Sequence, residues 1–352
     1  MFKPNFNVTP QILNDISQIA EIKAIIERSR VLPLNEAQLR RQAIFRMAHT
    51  STSIEGNRLA QYEVDKVLSG MSVNADAKSI QEVKNYQKAL QEIEKMAQSK
   101  KVLTLEDILS LHKILMENLI EKSKWGHFRP GSIYVIDDLG DGREKLRYEG
   151  PPAEKVPFLL NELLKWLSLA KKEGLHPILR AGIFHAKFVF IHPFADGNGR
   201  MARLLTTKIL YQEDWDFRKI IVLEDFYNRD RQAYYNALTI VSGKHFQTNN
   251  DFTSWLEYFT TGFISEAKKV IEAIQTAGFG KASEKEEQIF LDRDELKIVD
   301  FISTTGKTTS TDVQEILGIA KRTAQLKLKN LLKKGMIETR GNGPSTYYIL
   351  AQ

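Results

Sequence analysis

The chain has 352 residues, 42% of them hydrophobic, with a formal net charge of +6 and a pI near 9.1. That length allows two or three domains with sizeable cores, and the modest positive charge suits acidic partners. The absence of cysteine excludes disulfides and thiolate metal sites. No apolar run approaches the ~20 residues a membrane helix needs, and the first residues lack the apolar stretch of a signal peptide, so a cytoplasmic protein with no membrane contact is expected.

Helical patterns dominate, without internal repeats or low-complexity segments. Thr9 and Pro10 pair a capping residue with proline at the first helical position, which predicts a helix running to about Arg30. Residues 34–57 begin as a helix, with apolar spacing at Leu39, Ala43, Phe45 and Met47. The helix then meets a hydroxyl-rich run, one carboxylate (Glu55) and the stop signal Gly56-Asn57. Taken alone, this is a frayed helix end at which Glu55 pairs locally with Arg58, a contact worth little. Further helices are predicted near 62–69, 78–98 and 104–119. Thr104 caps the last of these, with acids in its first turn.

The stretch 126–150 breaks the pattern. Residues 132–136 are β-prone, Asp141-Gly142 is a hairpin turn, and residues 144–148 return, which reads as a surface hairpin. Pro151-Pro152 then lead into helices near 153–172, 177–191, 199–212, 229–241 and 252–277. Tyr234 and Tyr235 lie on one of these, where tyrosines are more often core than ligand contacts.

The densest chemistry lies at residues 192–203, His-Pro-Phe-Ala-Asp-Gly-Asn-Gly-Arg-Met-Ala-Arg. Gly197 and Gly199 let backbone N–H groups converge on an anion. The helix that follows points its N-terminus at the same place. Arg200 and Arg203 project from one turn and suit bidentate phosphate contacts. Asp196 is a hard oxygen ligand for a Mg²⁺ that carries phosphates. His192 titrates near neutrality and can take a proton from a hydroxyl. Phe194 anchors the loop in the core. In isolation a histidine before proline is structural and Asp-Gly-Asn-Gly is a turn; the joint pattern is what carries weight. It describes a base beside a phosphate cradle and leaves open which phosphorus is attacked.

Residues 278–290 read as a charged linker. Helices near 294–302, 310–317 and 320–334 follow, then a hairpin over 336–350. Three helices and a β wing resemble a winged helix-turn-helix. The last helix carries Lys321, Arg322, Lys327, Lys329, Lys333 and Lys334. Seven Lys and Arg stand against one Glu from Gly318 onward. DNA binding through phosphate contacts and docking of a protein or a second copy both fit that charge.

Residues 192–203 match at every fixed position the pattern His-x-Phe-x-Asp/Glu-Gly-Asn-Gly-Arg-x-x-Arg, and the chain thereby resembles Fic-domain proteins. The resemblance implies a protein adenylyltransferase (AMPylase) that moves AMP from ATP to a Ser, Thr or Tyr hydroxyl of a protein and releases pyrophosphate. It makes His192 the base and Asp196 the Mg²⁺ ligand. Gly197, Asn198, Gly199 and Arg200 become an anion hole for the α- and β-phosphates, and Arg203 engages the γ-phosphate. Met201 and Ala202 belong to the same nucleotide-binding run. Ser51-Thr-Ser-Ile-Glu55-Gly56 fits the family's inhibitory pattern Ser/Thr-x-x-x-Glu-Gly/Asn. That implies an N-terminal inhibitory helix on which Ser51, Glu55 and Gly56 are the inhibitory residues, with Glu55 reaching Arg203. The hairpin becomes a flap that docks the target by β-augmentation, and Tyr234 and Tyr235 line the adenine and ribose pocket. A homodimer is a family-level expectation; the hydroxyls abundant near the site suit self-modification, and Glu55 could instead orient a water for removal of AMP, which would invert its role.

The expected architecture is mainly α. An N-terminal helical region (1–100) precedes a Fic helical core with a small β-hairpin flap (101–277), the linker (278–290) and a winged helix-turn-helix domain (291–352). The competing function is a DNA-binding transcriptional regulator whose core senses nucleotide.

Overall fold

The computed structural model describes residues 2–29, 31–138, 144–279 and 291–351. The expected helix end at Arg30, the turn at Asp141-Gly142 and nearly all of the 278–290 linker lie outside the described residues.

Helix α1 (Pro10–Arg28) starts where Thr9 Oγ1 accepts from the Ile12 N–H at 3.3 Å. Its buried stripe of Ile12, Ile19, Ile22 and Ile26 packs on the long helix α11 (Thr253–Phe279). Helix α2 (Pro33–Ile54) runs through the hydroxyl-rich stretch and buries Thr50, Ser51, Thr52 and Ser53. Thr50 and Thr52 donate back to the carbonyls of Arg46 and Ala48 at 2.6 and 2.7 Å, so burial leaves these hydroxyls satisfied. Glu55 caps the helix, and Gly56 supplies the φ of +98° that ends it.

Helices α3 (Gln61–Leu68), α4 (Ala77–Gln98) and α5 (Leu105–Met116) follow. The last is shorter than its expected reach to 119, because Asn118 turns left-handed at φ 60°. Strands β1 (Tyr134–Asp138) and β2 (Glu144–Glu149) pair antiparallel, Tyr134 opposite Glu149, with a register shift between Val135 and Ile136. The first strand begins two residues beyond its expected start at 132. Among the described residues the outer edge of β1 has no partner strand.

Helix α6 (Val156–Lys172) leads to the centre of the core, helices α7 (Pro177–Ile191) and α8 (Asn198–Gln212). These two pack along each other and are buried almost all round, α8 with its arginines and threonines as well as its apolar residues. Helices α4, α5, α6 and α11 enclose them. Helices α9 (Leu223–Arg229) and α10 (Arg231–Ser242) pack against α2 and α11. Only the second of these was expected.

After residue 290 come α12 (Arg293–Thr305), α13 (Ser310–Leu317), α14 (Lys321–Lys333) and the antiparallel strands β3 (Ile337–Arg340) and β4 (Tyr347–Leu350). They enclose a separate core of Ile298, Ile302, Val313, Leu328, Leu331 and Met336. Ala37 of α2 belongs to that core. Arg40 pairs with Asp300 at 2.9 Å, and Gln38 donates to the Ala351 carbonyl at 2.8 Å. The C-terminal unit therefore grips the first half of the helix whose other end carries Glu55. No helix among the described residues is long and apolar enough to cross a membrane.

Candidate active site

Six residues, 192–197, join α7 to α8. His192 ends α7 in the left-handed region, φ 49° and ψ 60°, uncommon for a side chain with a Cβ. Its N–H donates to the Phe188 carbonyl at 3.1 Å, and its own carbonyl accepts from Arg129 Nε at 2.7 Å. Nδ1 lies 3.1 Å from the Val189 carbonyl. A carbonyl only accepts, so Nδ1 carries the proton and the Nε2 lone pair is free. Burial pushes the ring down to about 4, so it is neutral at pH 7.

Phe194 is fully buried and stacks on His112, centroids 3.7 Å apart. His112 accepts the Gly126 N–H at Nδ1, 3.1 Å, and donates from Nε2 to the Asp196 carbonyl, 3.1 Å. Burial holds this ring at about 4 as well, which keeps that tautomer neutral. Gly197 opens α8 with φ +80°, and a Cβ there would meet the Met116 sulfur at 2.7 Å.

The side-chain amide of Asn198 is engaged within the loop. Its Oδ1 accepts from the Phe194 N–H and its Nδ2 donates to the Phe194 carbonyl, both at 2.9 Å. The amide locks the loop and leaves only the backbone N–H for an anion. Asn198→Ala would strand two buried backbone groups of Phe194, at about 1–3 kcal/mol each. We expect a clear loss of stability in chemical denaturation, with faster amide exchange in the loop; an unchanged denaturation midpoint would refute the lock.

Arg200 is buried and bonds Asp196 Oδ1 at 3.0 Å and Glu82 Oε1 at 3.4 Å. Met201 and Ala202 point into the core, so they reach the site only through their backbone. Asp196 is half exposed, and its Oδ2 is unpaired among the described residues. No cluster of three or more metal-ligating side chains exists among those residues. A single available carboxylate fits a Mg²⁺ that draws its other ligands from phosphates and water.

Glu55 does not pair with Arg58. It pairs with Arg203 at 2.7 Å across the chain. Arg203 is almost fully enclosed. Its Nε donates to Ser51 Oγ at 2.7 Å and Nη2 to the Ser51 carbonyl at 2.9 Å. Burial opposes the guanidinium charge, but the pull of Glu55 and of neighbouring phenol oxygens outweighs it and holds Arg203 above its usual range. Nη1 is buried without a hydrogen-bond partner and faces Gly199. The Glu55 carboxylate lies over Gly199, where any Cβ would collide with it.

Of these, Glu55, His192, Asp196, Gly197, Asn198, Gly199 and Arg203 line a pocket of about 840 Å³ together with Ile133, Arg147, Tyr148, Leu238 and Thr239. Tyr234 and Tyr235 also line it. Tyr234 is buried, with its hydroxyl 2.9 Å from His185 Nε2. Thr206 gives its own proton to the Ala202 carbonyl, so it accepts from His185 Nδ1, and His185 in turn accepts from Tyr234. Tyr235 stacks under Arg147 of β2 at 4.6 Å and reaches the Ile54 carbonyl at 3.4 Å, which links the hairpin to the end of α2.

Residues 102–210 match the Fic/DOC family model. The chain carries a Fic domain. It is 29% identical over 206 residues to the protein adenylyltransferase Fic of Drosophila mojavensis, covering 58% of this chain and 38% of that one. Identity to the Drosophila grimshawi protein of that name is 28% over 230 residues, 64% of this chain and 42% of the relative. The chain thus spans about two fifths of the length of these curated relatives. A Fic family protein from Desulfovibrio desulfuricans G20 superposes with a TM-score of 0.65 at 26% identity, over 99% of this chain and 98% of the other. Fic-1 from C. elegans shares the fold, with a TM-score of 0.61 at 22% identity over 76% of this chain and 73% of that one.

Several residues that build the Fic site lie outside every motif. His112 and Arg129 hold the loop from behind. Tyr148 donates to the Phe190 carbonyl at 2.6 Å and ties β2 to the end of α7. Glu82 bridges Arg200 and Asn57, to which it bonds at 2.8 Å. No motif or spacing in the sequence marks these residues.

Proposed function

We propose that the chain is a protein adenylyltransferase that transfers AMP from ATP to a Ser, Thr or Tyr hydroxyl of a protein and releases pyrophosphate. One observation carries this reading: a neutral histidine with a free Nε2 shares a pocket with a helix N-terminus and the buried Arg203. The relatives named protein adenylyltransferase Fic support it. His192 Nε2 takes the hydroxyl proton as the acceptor oxygen bonds to the α-phosphorus. The bond from that phosphorus to the bridging oxygen breaks, and its electrons leave with pyrophosphate.

In this reading the N–H groups of Gly197, Asn198, Gly199 and Arg200 and the dipole of α8 cradle the α- and β-phosphates. Arg203 engages the γ-phosphate, and Asp196 would hold the Mg²⁺ that offsets phosphate charge when bound. Tyr234 and Tyr235 flank the adenine and ribose. The open edge of β1 takes the target segment as an added strand. Glu55 inhibits by occupying the γ-phosphate place on Arg203. The working division is an N-terminal helical region at 1–100, the Fic core at 101–277, a linker at 278–290 and a winged helix at 291–352. The reading is tested with ATP labelled at the α-phosphorus, on wild type, Glu55→Gly and His192→Ala, with mass spectrometry of the modified residue. Protein-bound label that depends on His192 supports it, label arriving from the γ-phosphate would reassign the chemistry, and no label even in Glu55→Gly would remove it.

A DNA-binding regulator is the second reading, favoured by four exposed cations on α14: Lys321, Arg322, Lys329 and Lys333. The other two expected phosphate contacts are engaged internally, Lys327 with Asp292 at 2.7 Å and Lys334 with Glu295 at 2.6 Å. With four contacts, log affinity should fall with log salt at a slope of about −4. A gel-shift titration that finds no binding at low salt would leave this unit a docking module.

A further inference from the structure

Arg129 lies between the flap and the loop that carries the base. It is 4% exposed and forms no salt bridge among the described residues. Its Nε donates to the His192 carbonyl at 2.7 Å, Nη1 to the Gly131 carbonyl at 2.5 Å and Nη2 to the Pro151 carbonyl at 2.5 Å. Its backbone N–H donates to the Pro193 carbonyl at 3.0 Å. Gly131 precedes β1 and Pro151 follows β2, so one guanidinium spans both feet of the flap and the carbonyl of the base itself. A planar fork of five fixed donors can serve three carbonyls at once; the point charge of a lysine cannot.

The flap foot is pressed against the base at the same place. A Cβ on Gly150 would lie 2.5 Å from Ile133 Cγ2, 3.3 Å from Arg129 Nη2 and 3.8 Å from His192 Cβ. Gly150 also donates to the Ile133 carbonyl at 3.1 Å, which closes the foot of the hairpin. A buried charge satisfied by carbonyl dipoles alone is costly. What it secures here is the distance between the two feet of the flap and the His192 carbonyl, alongside the tie that Tyr148 makes from β2 to the Phe190 carbonyl. Arg129 does not line the nucleotide pocket.

We propose that Arg129 is a positioning residue that sets the flap, and with it the acceptor hydroxyl, in register with His192 Nε2. The consequence for transfer rests on the adenylyltransferase reading; the clamp itself does not. Nucleotide binding stays intact without Arg129, while alignment of the acceptor is lost. A misplacement of about 1 Å at a reacting centre costs roughly 100-fold.

The test places Arg129→Lys and Arg129→Gln in the Glu55→Gly chain. It measures hydrogen exchange, ATP affinity by calorimetry and transfer of AMP from ATP labelled at the α-phosphorus. Both variants should speed exchange at 144–149 and 192–196 and leave α8 protected. ATP affinity should hold within about twofold while transfer falls roughly 100-fold, with no rescue by lysine. Unchanged exchange at the flap would overturn the proposal. So would exchange and ATP affinity lost together across α8, the mark of a general structural role. If Glu55→Gly transfers no label, the adenylyl reading fails on its own, and the exchange pattern still decides the clamp.

Discussion

Replacing His192 by alanine is expected to lower AMP transfer by about 10²–10⁴-fold, the usual contribution of a positioned general base. The expectation comes from geometry. The Val189 carbonyl holds the proton on Nδ1, and burial keeps the ring neutral, so Nε2 is ready to accept. The ring makes no contact that shapes the helix N-terminus, so ATP affinity should stay within about threefold of wild type. The measurement is label transfer at saturating ATP, paired with calorimetric ATP binding. Transfer that stays within about tenfold of wild type would mean that His192 is not the base. A parallel loss of ATP binding would mean that alanine had collapsed the loop, and the left-handed backbone at His192 makes that control necessary.

How much of this was legible in the sequence depended on how local the cause was. The loop 192–203 could be read because glycine, carboxylate and arginine act within one turn of helix. Helix boundaries at Thr9 and Thr104 could be read because a capping oxygen reaches only three residues ahead. Helix α9 was missed because seven residues are too few for a 3.6-residue period to declare itself. The loop-locking part that the Asn198 side chain plays was not legible, because an amide four residues after Phe194 can serve either an anion or its own loop, and only the folded chain decides. Lys327 and Lys334 looked free because their partners on α12 lie 35 and 39 residues away. Arg129 and His112 carried no signal, since their partners are backbone carbonyls and N–H groups, which sequence does not distinguish.

Replacing Glu55 by glycine is expected to raise AMP transfer by about 10- to 150-fold. The carboxylate holds Arg203 by one charged hydrogen bond at 2.7 Å, and such bonds contribute roughly 1.5–3 kcal/mol. Any phosphate that needs Arg203 must first displace it, so removing the competitor returns that energy to the bound nucleotide. The change is confined to the carboxylate. Helix α2 stays held by Arg46 with Asp225, by Arg231 on Ser53 at 2.8 Å and by Arg40 on Asp300 at 2.9 Å. Arg203 keeps both bonds to Ser51, so only one of its buried donors is newly orphaned and the loss of stability should be about 1–3 kcal/mol. Glu55→Gln keeps an acceptor without the charge and should fall between wild type and glycine. The decisive comparison is a double-mutant cycle with Arg203→Ala. If Glu55 acts through Arg203, glycine at 55 gives no stimulation once the arginine is gone. Stimulation that persists there would mean that Glu55 restrains the site by another route, through its position over Gly199 rather than its charge.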